Sequence, residues 1–523
     1  MSSPNASSPP APTRFVSEFG RYALGIFLGA LILMAPALLN GTPFFFADTA
    51  FYLAMSRLLH SADPNASIVA LLSDPALPAQ VSPADARHEL LARAAGHLGA
   101  RSVFYSLFLG GVADALGVWA VAFLQCSFVS ASIFGFLNVV WRNISTIKYA
   151  ALIAALTITT PLGIVATTLM PDIFSASMLL FCIIAFVRWS DLSWPVRILL
   201  GLGLLWTLLM HASNAPVAAL TAAASAALVW FARRRVLTPV GFIAVTIVAA
   251  MALHQMALNA ASAHIGVALV QPPFLTARVL DDGTGRELLR RDCVNDRYVL
   301  CRFSARLDAH AWDGGQKFLW DTRQNIGGYL IVDSQMQARL RNEEKDFVLS
   351  AVTTYPSQQL IASARNAAKL LVRFRPDGLS ASYGFYQTRW AWLGNNERMA
   401  LMPQFCRDDP NQKCGRFPFA SFSLVYYFAV ALSLAIFTRI FLTYGAAKGW
   451  RLRELDVLRA AVLIFAFGYV ANAIVCGVLS GPFDRYSARI VWIFPLFAIA
   501  FLLLPSSGDQ AMLAKRGYRF FSK

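Results

Sequence analysis

The sequence predicts an all-α integral membrane protein with about ten transmembrane helices, and three observations carry that prediction. Hydrophobic residues fill 57% of the 523 positions and charged residues only 14%, whereas soluble chains carry roughly 25% charge. Apolar runs of about 17 to 26 residues recur along the chain, the length a helix needs to cross hydrocarbon. Lys and Arg collect in alternate short connections, the pattern that sets membrane orientation. The same composition excludes collagen-like, disordered and disulfide-scaffold classes.

Taken in order, residues 1–19 hold four Pro, five Ser and two charges and predict a disordered tail. They lack the basic n-region, short apolar core and cleavage site of a signal peptide. A first span is expected over Tyr22–Leu39. Nine more are expected near 116–141, 147–168, 173–189, 196–213, 216–232, 239–258, 419–442, 457–479 and 489–505. With a cytoplasmic N-terminus, the inner side collects Arg142, Arg188, Arg197, Arg233, Arg234, Arg235, Lys448, Arg451, Arg453 and a basic tail. The inverse orientation translocates all of these short basic loops, so both termini are expected inside. Most of the net charge of +16 is thereby topological, and no nucleic-acid partner is implied.

The expected organisation is a tail (1–19), an N-terminal membrane module (20–258, seven spans, first outer loop 40–115), an outer segment between spans 7 and 8 (259–418), a C-terminal membrane module (419–505, three spans) and a tail (506–523). Within the outer segment, amphipathic helices are predicted around 337–354 and 357–374, joined at Tyr355-Pro356. Cys126, Cys182 and Cys476 fall in apolar spans as small core residues. The pairs Cys293/Cys301 and Cys406/Cys414 fall in the outer segment, where an oxidising compartment favours disulfides. Spacing does not fix the connectivity; pairing within each pair is the simplest expectation. A zinc site is disfavoured, because neither pair is C-x2-C nor flanked by His.

The spans contain almost no ionisable residues, against an ion-coupled carrier. Polar residues gather instead at the outer ends of spans, in four clusters. Asp48 follows span one in the aromatic stretch Phe44 to Tyr52, where an acid demands a cation, a metal or a hydrogen-bonding substrate. Its structural alternative is an N-cap on a predicted interfacial helix, 50–59. Asp172, in Met170-Pro171-Asp172-Ile173, is expected on the same face, with the same alternative of capping the next span. Together the two acids are a candidate pair of metal ligands for a divalent cation (Mg or Mn), or divide base and ligand roles. His211 and Asn214 sit at the break between spans five and six, as headgroup contacts or as a satisfied turn. Arg485, Tyr486 and Arg489 precede the last span; guanidinium forks suit a lipid phosphate, and anchoring to bulk headgroups is the plainer role. Arg101 and Tyr105 close the first outer loop and are weaker members of the set.

These clusters, in this order, resemble the GT-C superfamily of integral-membrane glycosyltransferases. The likeness lies in Phe46-Ala47-Asp48-Thr49, Arg101-Ser102-Val103-Phe104-Tyr105, Met170-Pro171-Asp172-Ile173-Phe174, His211-Ala212-Ser213-Asn214 and Arg485-Tyr486-Ser487-Ala488-Arg489, a pattern also similar to a group of bacterial polytopic membrane proteins. The resemblance implies a protein of the bacterial inner membrane with a periplasmic site. There a polyprenyl-phosphate-sugar donor gives its sugar to a glycan or lipid acceptor. It implies that Asp48 matches the catalytic base and Asp172 the second-loop acid, with the outer segment binding acceptor or closing the site. The first loop lacks the Asp-Glu or Glu-Asp dipeptide that several such families carry, and no Asp-x-Asp follows in the second loop. The alternatives are a non-catalytic scaffold of envelope glycan assembly that uses 259–418 as a platform, and a glycolipid flippase or polymerase. Gly201-Leu202-Gly203 lies inside a span and is no dinucleotide fingerprint.

Overall fold

A computed structural model of the chain describes residues 12–62, 92, 95, 98–141, 144–231, 236–303, 305–306, 312, 316–321, 323–376, 401–402, 406–407, 414–448 and 457–503. Among these the structure is helical, with one isolated parallel bridge, Phe44 to Thr168, in place of any strand. The tail 506–523, the start of the tail 1–19 and the basic residues Arg142, Arg233, Arg234, Arg235, Arg451 and Arg453 lie outside the described residues.

The first part of the chain forms α1 (Pro12–Leu33), α2 (Ala35–Asn40), α3 (Thr49–His60), α4 (Val103–Leu116), α5 (Val118–Trp141), α6 (Thr146–Thr159), α7 (Leu162–Thr167), α8 (Phe174–Arg188), α9 (Trp194–Met210), α10 (Asn214–Phe231) and α11 (Leu237–Ile265). The next segment forms α12 (Phe274–Asp282), α13 (Thr284–Asp292), α14 (Lys317–Trp320), α15 (Ser334–Thr354) and α16 (Pro356–Val372). The chain closes with α17 (Phe419–Lys448), α18 (Val457–Leu479), α19 (Arg485–Val491) and α20 (Ile493–Leu503). Seven helical stretches among the described residues are long and apolar enough to cross a membrane: 20–40, 118–140, 171–191, 237–265, 419–443, 457–479 and 485–502. Four shorter apolar helices, α4, α6, α9 and α10, accompany them. Helices α11 and α17 turn long rows of apolar side chains outward, such as Val245, Val248 and Met251 or Leu424, Phe428 and Leu432. A bilayer covers such a surface; water does not.

Several boundaries differ from the sequence expectation for local reasons. The run 147–168 is two helices, because Thr160 is extended before Pro161, as the residue ahead of proline prefers. A break at Met34 likewise precedes the Ala35-Pro36 start of α2. The first outer loop, expected to run to residue 115, ends in the apolar helix α4. The last stretch begins at Arg485, four residues before the expected 489, so the basic cluster lies on helix and not in a loop.

Helix α8 is the most enclosed of the candidate spans and packs against α5, α9, α10 and α18. Asp172 sits in the short turn at its head, in the middle of one end of the bundle. Residues 274–355 hold a second apolar core built on Leu280, Leu288, Leu289, Phe318, Tyr329 and Phe347. That unit rests on the same end: Arg278 and Gln316 both donate to the Ser480 carbonyl, at 3.0 and 2.6 Å. The disulfides Cys293–Cys301 and Cys406–Cys414 form as local pairs.

Close approach of α3 and α4 brings the residues around Asp48 and Arg101 together. It depends on Gly110, where an added Cβ would stand 2.3 Å from Ser56 Cβ, while one at the neighbouring Gly111 meets open space. Gly110→Val should therefore melt below Gly111→Val in detergent by the equivalent of about 1–3 kcal/mol of overpacking, since both carry the same helix-propensity change. Equal melting of the two variants contradicts that close packing.

Candidate functional site

Backbone pairing brings the two acids together. Phe44 N–H donates to the Thr167 carbonyl (3.2 Å), Leu169 N–H donates to the Phe44 carbonyl (2.9 Å), and the Thr49 hydroxyl donates to the Leu169 carbonyl (3.0 Å). The loop ahead of α3 is thus laced to the loop ahead of α8. Gln125, on α5, holds that second loop from behind by donating to the Ala166 and Thr168 carbonyls at 3.1 and 2.8 Å.

Neither carboxylate caps a helix. Asp48 stands at the N-cap of α3 in αR geometry with no side-chain cap bond, and Asp172 makes none at the head of α8. Both face guanidinium groups instead. Arg101 donates to Asp48 Oδ1 at 2.8 Å. Arg485 Nη1 lies 3.6 Å from Asp48 Oδ2 and 3.9 Å from Asp172 Oδ2, so one cation is shared between two acids. Arg489 Nη1 lies 3.5 Å from Asp172 Oδ1. Arg489 is fully buried, and its Nη2 also donates to Ser213 Oγ (3.0 Å) and Asn472 Oδ1 (2.8 Å) and reaches Cys476 Sγ (3.3 Å). Bulk headgroup anchoring does not describe either arginine.

His211 completes the cluster from the break between α9 and α10. Its Nδ1 accepts from Ser213 N–H at 3.1 Å. Nε2 stands 3.5 Å from Arg489 Nη1. Burial first, then the charge of Arg489, holds the imidazole pKa down to about 3. His211 is therefore a neutral group at the site across physiological pH, not a charge.

Arg101, His211, Arg485 and Tyr486 line a cavity of about 1530 Å³ together with Asp48. Drug-sized sites occupy about 300–1,000 Å³, so there is room for a long or composite ligand. Its floor is the bundle end. Its far wall comes from Phe274, Gln316, Trp320 and Arg323 of the 259–418 segment, and its side from Arg373 and Arg375. Among the described residues, basic lining side chains (Arg101, Lys317, Arg323, Arg373, Arg375, Arg485) outnumber acidic ones (Asp48, Asp321, Asp484) by six to three, a balance that favours an anionic ligand. At the floor, Arg485 Nη1 and Asp172 Oδ2 are buried and make no hydrogen bond. A donor and an acceptor held just short of each other are places where a ligand group has free energy to gain.

Two expected contacts face elsewhere. Tyr105 is buried and donates to Gln125 Oε1 (2.8 Å), so it braces the acid-bearing loop from within the bundle. Asn214 donates to the Thr207 carbonyl (2.7 Å) and accepts from Ser175 (2.6 Å), as a satisfied turn. Neither lines the cavity. Asp172 and Arg489 form the layer directly beneath it. Asn472, Ser213, Cys476 and the basic wall Arg373/Arg375 carried no site role in the sequence expectation. Asn472 had a signal, a lone amide inside an otherwise apolar run.

A divalent cation does not fit the two acids. Among the described residues no three His, Cys, Asp or Glu side chains gather in ligand geometry, and the two carboxylates already answer three guanidiniums. A further divalent charge there meets net positive surroundings. Comparisons with family models, curated proteins and solved structures give no match to this chain.

The low pKa of His211 gives a testable pH profile. With the folded value near 3 and the unfolded value near 6.5, its neutral burial supports the fold fully above pH 6.5, and that support is lost as pH falls toward 3. NMR of ring-labelled histidine, assigned by difference from His211→Gln, should show no titration of this ring between pH 5 and 8. A midpoint near 6.5 contradicts the buried, cation-flanked setting.

Proposed function

We propose that the chain is a membrane glycosyltransferase of GT-C type, moving a sugar from a polyprenyl-phosphate-linked donor to a glycan or lipid acceptor. In this reading the chain makes ten spans, counting the short apolar helices, with both termini cytoplasmic and the cavity on the periplasmic face of a bacterial inner membrane. The observation that carries the proposal is the sharing of Arg485 between Asp48 and Asp172 at the floor of a basic cavity at the bundle end.

The chemistry needs an anion site, a proton acceptor and room for two substrates. Arg485, with Arg373 and Arg375 along the wall, supplies cations for the donor phosphate. Asp48 borders the cavity and is held on one side by Arg101. It takes the proton of the acceptor hydroxyl as that oxygen bonds to the anomeric carbon. The bond from anomeric carbon to phosphate oxygen breaks, and the prenyl phosphate leaves with the electron pair, stabilised by the guanidiniums. Asp172 is deeper and serves to fix Arg485 and Arg489. His211 borders the ligand as a neutral imidazole. No step calls for a metal.

The test is consumption of polyprenyl-phosphate hexoses and pentoses by the purified full chain. Asp48→Asn should cut turnover at least about 100-fold, the usual contribution of a general base, with expression and membrane insertion retained. Full activity in that variant overturns the assignment.

A further inference from the structure

Helix α16 (Pro356–Val372) is amphipathic in the opposite sense to a helix on a soluble domain. Two of its polar groups face inward, Gln359 and Asn366, which both donate to the Asp282 carboxylate at 2.8 and 2.7 Å, while Ser357, Gln358, Arg365 and Lys369 are exposed. Its aliphatic groups face outward, with Leu360, Ile361 and Val372 exposed by 71%, 58% and 63%. Ile361, Ala364, Ala368 and Val372 fall at the three- and four-residue spacing of one helical face. Water penalises such a face by about 25 cal/mol per Å² of apolar surface.

The surroundings of α16 identify what covers it. The helix lies along α18, a candidate span. Gly477 backs directly onto Asn366 and Ala367, and Leu370 packs with Ala473 and Cys476. Near its C-terminus the Leu371 carbonyl accepts from the Tyr469 hydroxyl at 3.2 Å, and the Leu370 carbonyl accepts from Ser487. Tyr469 lies ten residues inside the Leu479 end of α18. At about 1.5 Å per residue that is about 15 Å, half the thickness of a hydrocarbon core. Helix C-termini leave carbonyls without intrahelical partners, and hydrocarbon makes such groups costly. Here two of them are met by hydroxyls from residues of the candidate spans. Val470 and Ile474 of α18 are also exposed and extend the aliphatic surface.

We propose that α16 is a re-entrant helix embedded in the leaflet on the cavity side, with its Leu360–Val372 face against lipid hydrocarbon. Arg365 and Lys369 have stems long enough to carry their charges toward the headgroups. Arg373 follows directly, pairs with Asp484 at 2.9 Å and lines the cavity. The helix is thus the partition between bilayer and cavity. This assignment stands independently of the transferase proposal.

Nitroxides placed singly at Ile361, Ala368 and Val372 of the full chain, in phosphatidylcholine vesicles, test it by power saturation against oxygen and a water-soluble nickel chelate. Asn342, exposed on the polar helix α15, serves as the aqueous reference. The free thiols Cys126, Cys182 and Cys476 are buried, and the unsubstituted chain treated in parallel is the blank. Oxygen collisions should exceed nickel collisions several-fold at the three α16 sites, with the reverse at Asn342. Nickel-dominated collisions at Ile361 and Val372 overturn the proposal by showing water. Low collision rates with both reagents overturn it by showing a protein cover. Three separate exposed positions keep the test decisive if one labelled variant fails to fold.

Discussion

The guanidinium of Arg489, buried at the end of the helix bundle, is the interaction on which the site depends. A charge removed from water is tolerated only where partners surround it. Arg489 finds them on three separate parts of the chain: Asp172 ahead of α8, Ser213 at the α9–α10 break, and Asn472 within α18. Asn472 in turn donates to the Tyr486 carbonyl at 2.8 Å, fixing the start of α19 and with it Arg485. Removing one partner of such a set costs about 3–5 kcal/mol, whereas replacing a whole ionic set by apolar groups is often neutral. Apolar packing alone holds most of this bundle, and in lipid it does so through close fit without a hydrophobic driving force. The buried set is therefore weak evidence for stability.

Most of the fold was legible because lipid forces a simple code on sequence. Runs of apolar residues gave helices such as Val118–Trp141 and Val457–Leu479 to within two residues. The failures came where backbone chemistry interrupts a run, as at Thr160-Pro161, or where a short apolar helix such as Val103–Leu116 hides in a loop. The acids and arginines of the site were legible because polar residues at the ends of spans are conspicuous against 14% overall charge.

Their partners were less so. Asp48 and Asp172 fit the capping pattern by sequence, yet a guanidinium competes for a carboxylate more strongly than a backbone N–H does. Tyr105 and Asn214 have the right chemistry for a ligand, but their polar atoms are consumed by Gln125, Thr207 and Ser175 across helix contacts that no local pattern encodes. The inverted face of α16 was visible only as amphipathicity; which side faces protein depended on Asp282, more than 70 residues away. The basic wall of Arg373 and Arg375 follows from that placement.

The central claim is that the shared Arg485 is the anion site of the cavity and not a structural latch. The most direct measurement is a structure of the full chain with a polyprenyl monophosphate bound. The account predicts phosphate density within hydrogen-bonding distance of Arg485, above the Asp172–Arg489 pair and beside Asp48, with the prenyl chain leaving toward lipid. Phosphate bound away from Arg485, with the Asp48–Arg485–Asp172 arrangement unchanged, would contradict it.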